Sequence, residues 1–365
     1  MNQRLKLRVF FIAMVVIVLA WLALALMTEF NLVHAKQPTI PELLQKKTEQ
    51  TARERAQGEA LPELNGYQIE RIQAPQPAWS GMKESVMLLR DTQFNYYGNL
   101  GYTVDSLSLS ITANTVGQPA WLDDPKTYKF TLHQGKIRLS SVQLDAMMNR
   151  ILNPPRSPLK NLKTSFQNGQ LYLTGQMQRK GKWSEFSMLG VLSRVDDKTL
   201  KFHPTQIKIG GQSADSLMAQ VSLTVSDLIS IQLPEAQLKG NDLYINLDKS
   251  FPAPLLDVHA KNIAITDQGL NIEFYNPNIA NPPIVPETLA GSKTFIQVLG
   301  GDVQFMKAHM VNARVIILPE QTGDPVKFEL YRYQSQLTRA IMRTNTEGVM
   351  TVFMPAPLPQ SGDQK

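Results

Sequence analysis

The sequence predicts an α+β protein: an N-terminal transmembrane helix, then a long curved antiparallel β-sheet wrapped around one or two amphipathic helices, with a C-terminal β extension. Three observations carry this. The run from Val9 to Met27 is 19 residues long and uncharged. Most of the chain beyond residue 100 alternates apolar and polar residues between turn formers, the period of strands. Only residues 140–153 and 213–230 carry apolar residues at helical spacing around a wide arc.

The first element is justified by length, because a bilayer takes ~20 apolar residues in a helix. Arg4, Lys6 and Arg8 precede the run and no acidic residue comes before Glu29. The positive-inside rule then leaves the tip (1–8) in the cytoplasm and exports the rest, a single-pass inner-membrane topology with a periplasmic C-terminal domain. A cleaved signal peptide is the competing reading, since Val33-His34-Ala35 fits a cleavage site, although such peptides have apolar cores of ~7–15 residues. The absence of cysteine excludes an acylated lipoprotein anchor, disulfides and thiolate metal sites. Beyond the anchor the charge is 34 Lys+Arg against 31 Asp+Glu, scattered rather than gathered into the basic face of a nucleic-acid binder.

Residues 28–80 are polar and punctuated, and PELLQKKTEQTARERAQGEA (41–60) has no wide apolar stripe, so this segment reads as a solvated stalk or a partner-binding helix. The folded part follows as 81–290, an extension as 291–357 and a polar tail as 358–365. Its strands are read at 104–113, 126–140, 159–178, 183–195, 200–210 and 260–274, then in 302–318, 326–333 and 349–354, with a helical turn near 335–343. Asn168-Gly169 supplies the positive φ angles of a tight hairpin turn.

The first helix is well marked. Ser140 and Gln143 form a capping box, and Asn153-Pro154-Pro155 ends it. Leu144, Met147, Met148, Ile151 and Leu152 share one face, which needs a cover. In 213–230, Leu217, Met218, Val221, Val225, Leu228 and Ile229 share a second face, although Val, Ser and Thr are middling helix formers. Two outcomes remain open for these faces: a sealed core with methionine as gap filler, or a cleft for acyl chains.

Reactive groups do not converge in the sequence. His34, His133, His203, His259 and His309 show no zinc-binding spacing, and each reads as a surface or strand histidine. There is no nucleophile elbow, P-loop or dinucleotide fingerprint, and Gly300-Gly301-Asp302 reads as a turn before a strand. Asp123-Asp124-Pro125 lacks the ligand spacing of a calcium loop and reads as a helix cap or turn. The expectation is a non-enzyme without cofactor.

The run Val104-Asp105-Ser106-Leu107, Gly117-Gln118-Pro119, Asp123-Asp124-Pro125 and Gly135 to Ser140, followed by the helix, resembles bacterial envelope proteins of the tubular lipid-binding (TULIP) superfamily, nearest the LmeA-like phospholipid-binding domains. The order continues through the hairpin with Gly169, Val195-Asp196-Asp197, Ile207 to Gly211 and Asp267 to Gly269, covering residues 84–275. The resemblance implies lipid tails held between a helix and a wrapped sheet, with phospholipid or another acyl lipid as partner and no catalytic residues. Leu144, Met147, Met148, Ile151, Leu152, Leu217, Val221 and Val225 are the lipid-binding candidates. The expected function is a membrane-anchored periplasmic lipid binder or shuttle. The alternatives are an envelope scaffold that docks a partner protein through an exposed β-edge, and an envelope hydrolase.

Overall fold

The alternating segments pair into two sheets rather than one. The computed structural model describes residues 84–358 apart from 156, 180, 215–217, 219–221 and 307. Its strands run from β1 (Ser85–Tyr97), β2 (Leu100–Ala113), β3 (Ala120–Trp121) and β4 (Tyr128–Leu139) to β5 (Leu159–Gln167), β6 (Gln170–Arg179), β7 (Lys182–Arg194), β8 (Thr199–Ile209) and β9 (Gln212–Ser213). They continue as β10 (Ala236–Lys239), β11 (Asp242–Asn246), β12 (Leu255–Asp257), β13 (Ala260–Thr266), β14 (Gly269–Tyr275) and β15 (Phe295–Phe305). The last are β16 (Ala308–Pro319), β17 (Val326–Glu329), β18 (Ile341–Thr344) and β19 (Met350–Met354). The described helices are α1 (Ser141–Leu152), α2 (Val225–Leu228) and α3 (Tyr333–Leu337).

The large sheet has the order β13-β14-β4-β2-β1-β15-β16-β19-β18, with β12, β17 and β3 pairing to β4, β1 and β15. The small sheet is β10-β11-β8-β7-β6-β5, with β9 on β8. One apolar core joins the two. The expected α+β fold, one sheet wrapped around amphipathic helices, is therefore corrected to a mainly β protein of two sheets with short helices. The reason is physical: a period-2 pattern fixes which face of a strand is apolar, and it does not fix which sheet the strand joins. After α1 the chain turns at Asn153-Pro154-Pro155, and β5 starts the second sheet instead of extending the first.

Among the described residues no helix is long and apolar enough to cross a membrane, and α1 has only 12 residues. The expected single-pass inner-membrane topology therefore finds no spanning helix among the described residues and is not carried further. The run 9–27 that carried it, the stalk 28–80 and most of the tail lie outside the described residues. The second predicted helix is also corrected. Within 213–230, Ser222 takes a left-handed φ of 53°, and a fresh start follows at Thr224, whose N–H donates to Asp227 Oδ2 at 2.8 Å, so that α2 has only four residues.

Strand β1 lies at the centre of the large sheet. Its first half pairs with β15 and its second half, beyond Asp91 at φ 44°, pairs in parallel with β17. Residues 291–357 thus supply β15 to β19 of the large sheet. Both faces of β1 are covered. Met87 and Leu89 belong to the core shared with the small sheet, whereas Val86 and Leu88 join a second cluster with Phe295, Leu299 and Phe353, partly lidded by Val285 and Leu289.

Candidate apolar ligand site

The site is built around α1. Ser140 Oγ accepts from the Gln143 N–H at 3.4 Å and Gln143 Oε1 accepts from the Ser140 N–H at 3.0 Å, the reciprocal cap expected from the sequence. The polar side of α1 has a partner that the helical wheel does not show. Asn149 Nδ2 donates to Leu162 O at 2.7 Å, Asn149 Oδ1 accepts from the Leu162 N–H at 3.0 Å, and Asp145 Oδ1 accepts from the Thr164 N–H and hydroxyl. These side chains act as a substitute strand along β5, the edge of the small sheet. On the other side Arg150 donates to Ser250 O at 3.0 Å.

With its polar side fixed, α1 turns its apolar arc inward. Leu144, Met147, Met148, Ile151 and Leu152 are all buried. The first three line a cavity of about 40 Å³ whose other walls are Leu132, Ile137, Ile272 and Phe274 of the large sheet and Leu171, Leu200 and Ile245 of the small one. Ile151 and Leu152 are packed elsewhere in the core, and so is Val225 of α2. Leu217 and Val221 lie outside the described residues.

Tyr102 and Phe251 close one side of the cavity with rings 5.4 Å apart and nearly perpendicular, and Tyr96 stacks on Phe251 at 5.2 Å. Burial pushes the Tyr96 and Tyr102 phenols well above the ordinary tyrosine range, so both stay neutral. The chemistry available here is apolar contact, with no charged group on the wall.

Beside this interior, a polar clasp ties the β7–β8 turn to the large sheet. Lys198 Nζ donates to Asp248 Oδ2 at 3.0 Å and Asp257 Oδ1 at 2.9 Å, while His259 lies 2.5 Å from Asp197 Oδ2 and 3.6 Å from Asp257 Oδ1. Burial lowers the Lys198 pKa, but the two aspartates outweigh it and the net shift is upward. His259 is thus neither a surface nor a strand histidine but a buried residue of the link between β12 and β13, with acidic partners that lie 62 and 2 positions away, which spacing within the sequence does not reveal. His133 is buried 3.3 Å from Ser108 Oγ, His203 meets Asp242 Oδ1 at 2.5 Å, and His309 is exposed. Among the described residues no His/Asp/Glu group has a metal-holding arrangement. Asp124 caps a 3-10 turn at Pro125–Thr127, accepting from the Lys126 N–H.

No family description, curated protein or solved structure matches the chain, and none of these comparisons identifies it with the tubular lipid-binding proteins.

Proposed function

We propose that this protein binds an acyl lipid, holding an aliphatic chain between α1 and the two sheets, and that it does so without catalysis. The supporting observation is the unfilled apolar space at Leu144, Met147 and Met148. Protein interiors are packed to crystal density. A void of about 40 Å³ forgoes about 1 kcal/mol of packing, and an apolar void stays dry and takes up apolar molecules. The space as it stands is smaller than a lipid tail, so binding requires the walls to part. Two unbranched methionines on one wall suit that, because they re-pack around ligands of differing shape.

The test uses the full chain with cis-parinaric acid, whose fluorescence rises in an apolar site, together with extraction of co-purified lipid. Wild type is expected to bind the probe with saturation. Met148→Phe, which fills the void, should weaken binding several-fold while leaving the melting temperature equal or higher. A wild-type chain that carries no lipid and gives no saturable signal would overturn the proposal.

A further inference from the structure

A second apolar cavity lies on the same face of the large sheet, under β15, β16 and β19. It measures about 70 Å³, and Met87, Met310, Met342, Met350 and Met354 are among its walls. Met342 is 36% exposed and Met310 and Met350 are only half-buried, so this trough opens at its rim. A row of rings separates it from the cavity under α1: Tyr102 on Phe94 at 5.6 Å, Phe94 on Phe328 at 5.5 Å and Phe328 on Tyr333 at 6.0 Å.

Tyr333, at the end of this row, lines both the trough and a polar cleft of about 390 Å³. Asp123, Asp124, Lys126 and Tyr331 also line the cleft. Asp123 is held by neutral donors, the Tyr333 hydroxyl and Trp121 Nε1 at 3.2 Å, and Asp124 by the Lys126 backbone N–H at 3.0 Å. Two carboxylates therefore stand against one lysine.

We propose that trough and cleft together form a binding site for a single-chain amphiphile with an ammonium head, the chain lying along the methionines and the head between Asp124 and the tyrosine rings. An apolar wall that turns polar across one residue matches a molecule that makes the same change across one bond. The acidic side chains disfavour a carboxylate or phosphate head, whereas tyrosine faces attract alkylammonium groups. This site is independent of the cavity under α1.

Its test compares dodecyltrimethylammonium with dodecanoate, both below their micelle concentrations, by calorimetric titration of the full chain. The ammonium probe is expected to bind one site about tenfold more tightly than the carboxylate, the scale of one desolvated cation–aromatic contact. Asp124→Asn keeps the oxygen that caps the turn and should erase the preference at unchanged melting temperature. Met342→Lys, at the exposed rim, should weaken dodecyltrimethylammonium, whose binding Met148→Phe should leave unchanged, whereas Met148→Phe should weaken any dodecanoate held under α1. Equal affinity for the two probes in the Met148→Phe chain, where the cavity under α1 is filled, a preference that survives Asp124→Asn in a folded variant, or no ammonium binding by folded wild type would each overturn the proposal. Loss of dodecyltrimethylammonium binding in Met148→Phe would instead assign the probe to the cavity under α1, and would overturn it too.

Discussion

His133 is an imidazole placed where a proton is unwelcome. It is buried beside Ser108, and desolvation holds its pKa below the ordinary histidine value, with Glu84 opposing in part. Below about pH 6.5 the unfolded chain takes up a proton that the folded chain refuses, so stability falls with pH until the lowered folded value is passed. Thermal melts from pH 7.5 to 5 should show this decline, and His133→Gln should remove a share of it. An acid limb identical in the variant would assign the loss to other groups. Single residues also mark where the sequence was legible. Asn168 and Gly169, at φ 50° and 75°, form the hairpin turn that their identities demand. Asp145 and Asn149 were legible only as polar positions off the apolar arc, because their partners on β5 are set by tertiary docking.

At the scale of elements, α1 is legible at both ends, since caps and prolines act locally, and its inward face follows from the 3.6 period. Strand β1 was not legible. Its VMLL run is continuous because both of its faces are buried, so it lacks the alternation that marks a half-exposed strand. The trough was hidden for a related reason, its methionines being spread over β1, β16, β18 and β19. The docking of α1 onto β5 gives a direct prediction. Asn149→Ala leaves the N–H and C=O of Leu162 without partners, and Leu162 is fully buried. Such an orphaned pair costs about 2 kcal/mol, to be read from urea denaturation. Val142→Ala, at a 53% exposed position on the same helix, should stay within about 0.5 kcal/mol.

For the whole molecule, strand character was legible in the long alternating segments, whereas β1, β3, β9 to β12 and β18 were not read as strands and the partition into two sheets was not legible either. Two sheets sharing one core bury several phenols, and desolvation raises Tyr96, Tyr102, Tyr128 and Tyr333, the last also through Asp123. A group whose folded pKa is raised lends stability that is lost as pH climbs above its ordinary value, about 10 for tyrosine and lysine alike. Lys198 in the clasp shifts in the same direction. An alkaline titration should therefore show tyrosinate absorbance near 295 nm arriving in two parts. The accessible phenols ionise first, and the buried ones appear together with loss of far-ultraviolet circular dichroism. Smooth ionisation of all phenols in a chain that stays folded would contradict this burial.

The pairing of β1 with β15 also sets a timetable. Ser85 and Gly300, joined by a side-chain hydrogen bond, lie 215 positions apart. A ribosome adding roughly 5–20 residues per second takes ten seconds or more to cover that distance. Throughout that interval β1 has β2 on one flank and an open backbone edge on the other, with apolar side chains facing both ways. A nascent chain in this condition is a template for pairing with its neighbours on the polysome. Truncation at residue 290 would make the condition permanent, and that fragment is expected in the insoluble fraction when expressed alone. Restoring 291–357 as a separate chain during synthesis should recover soluble protein.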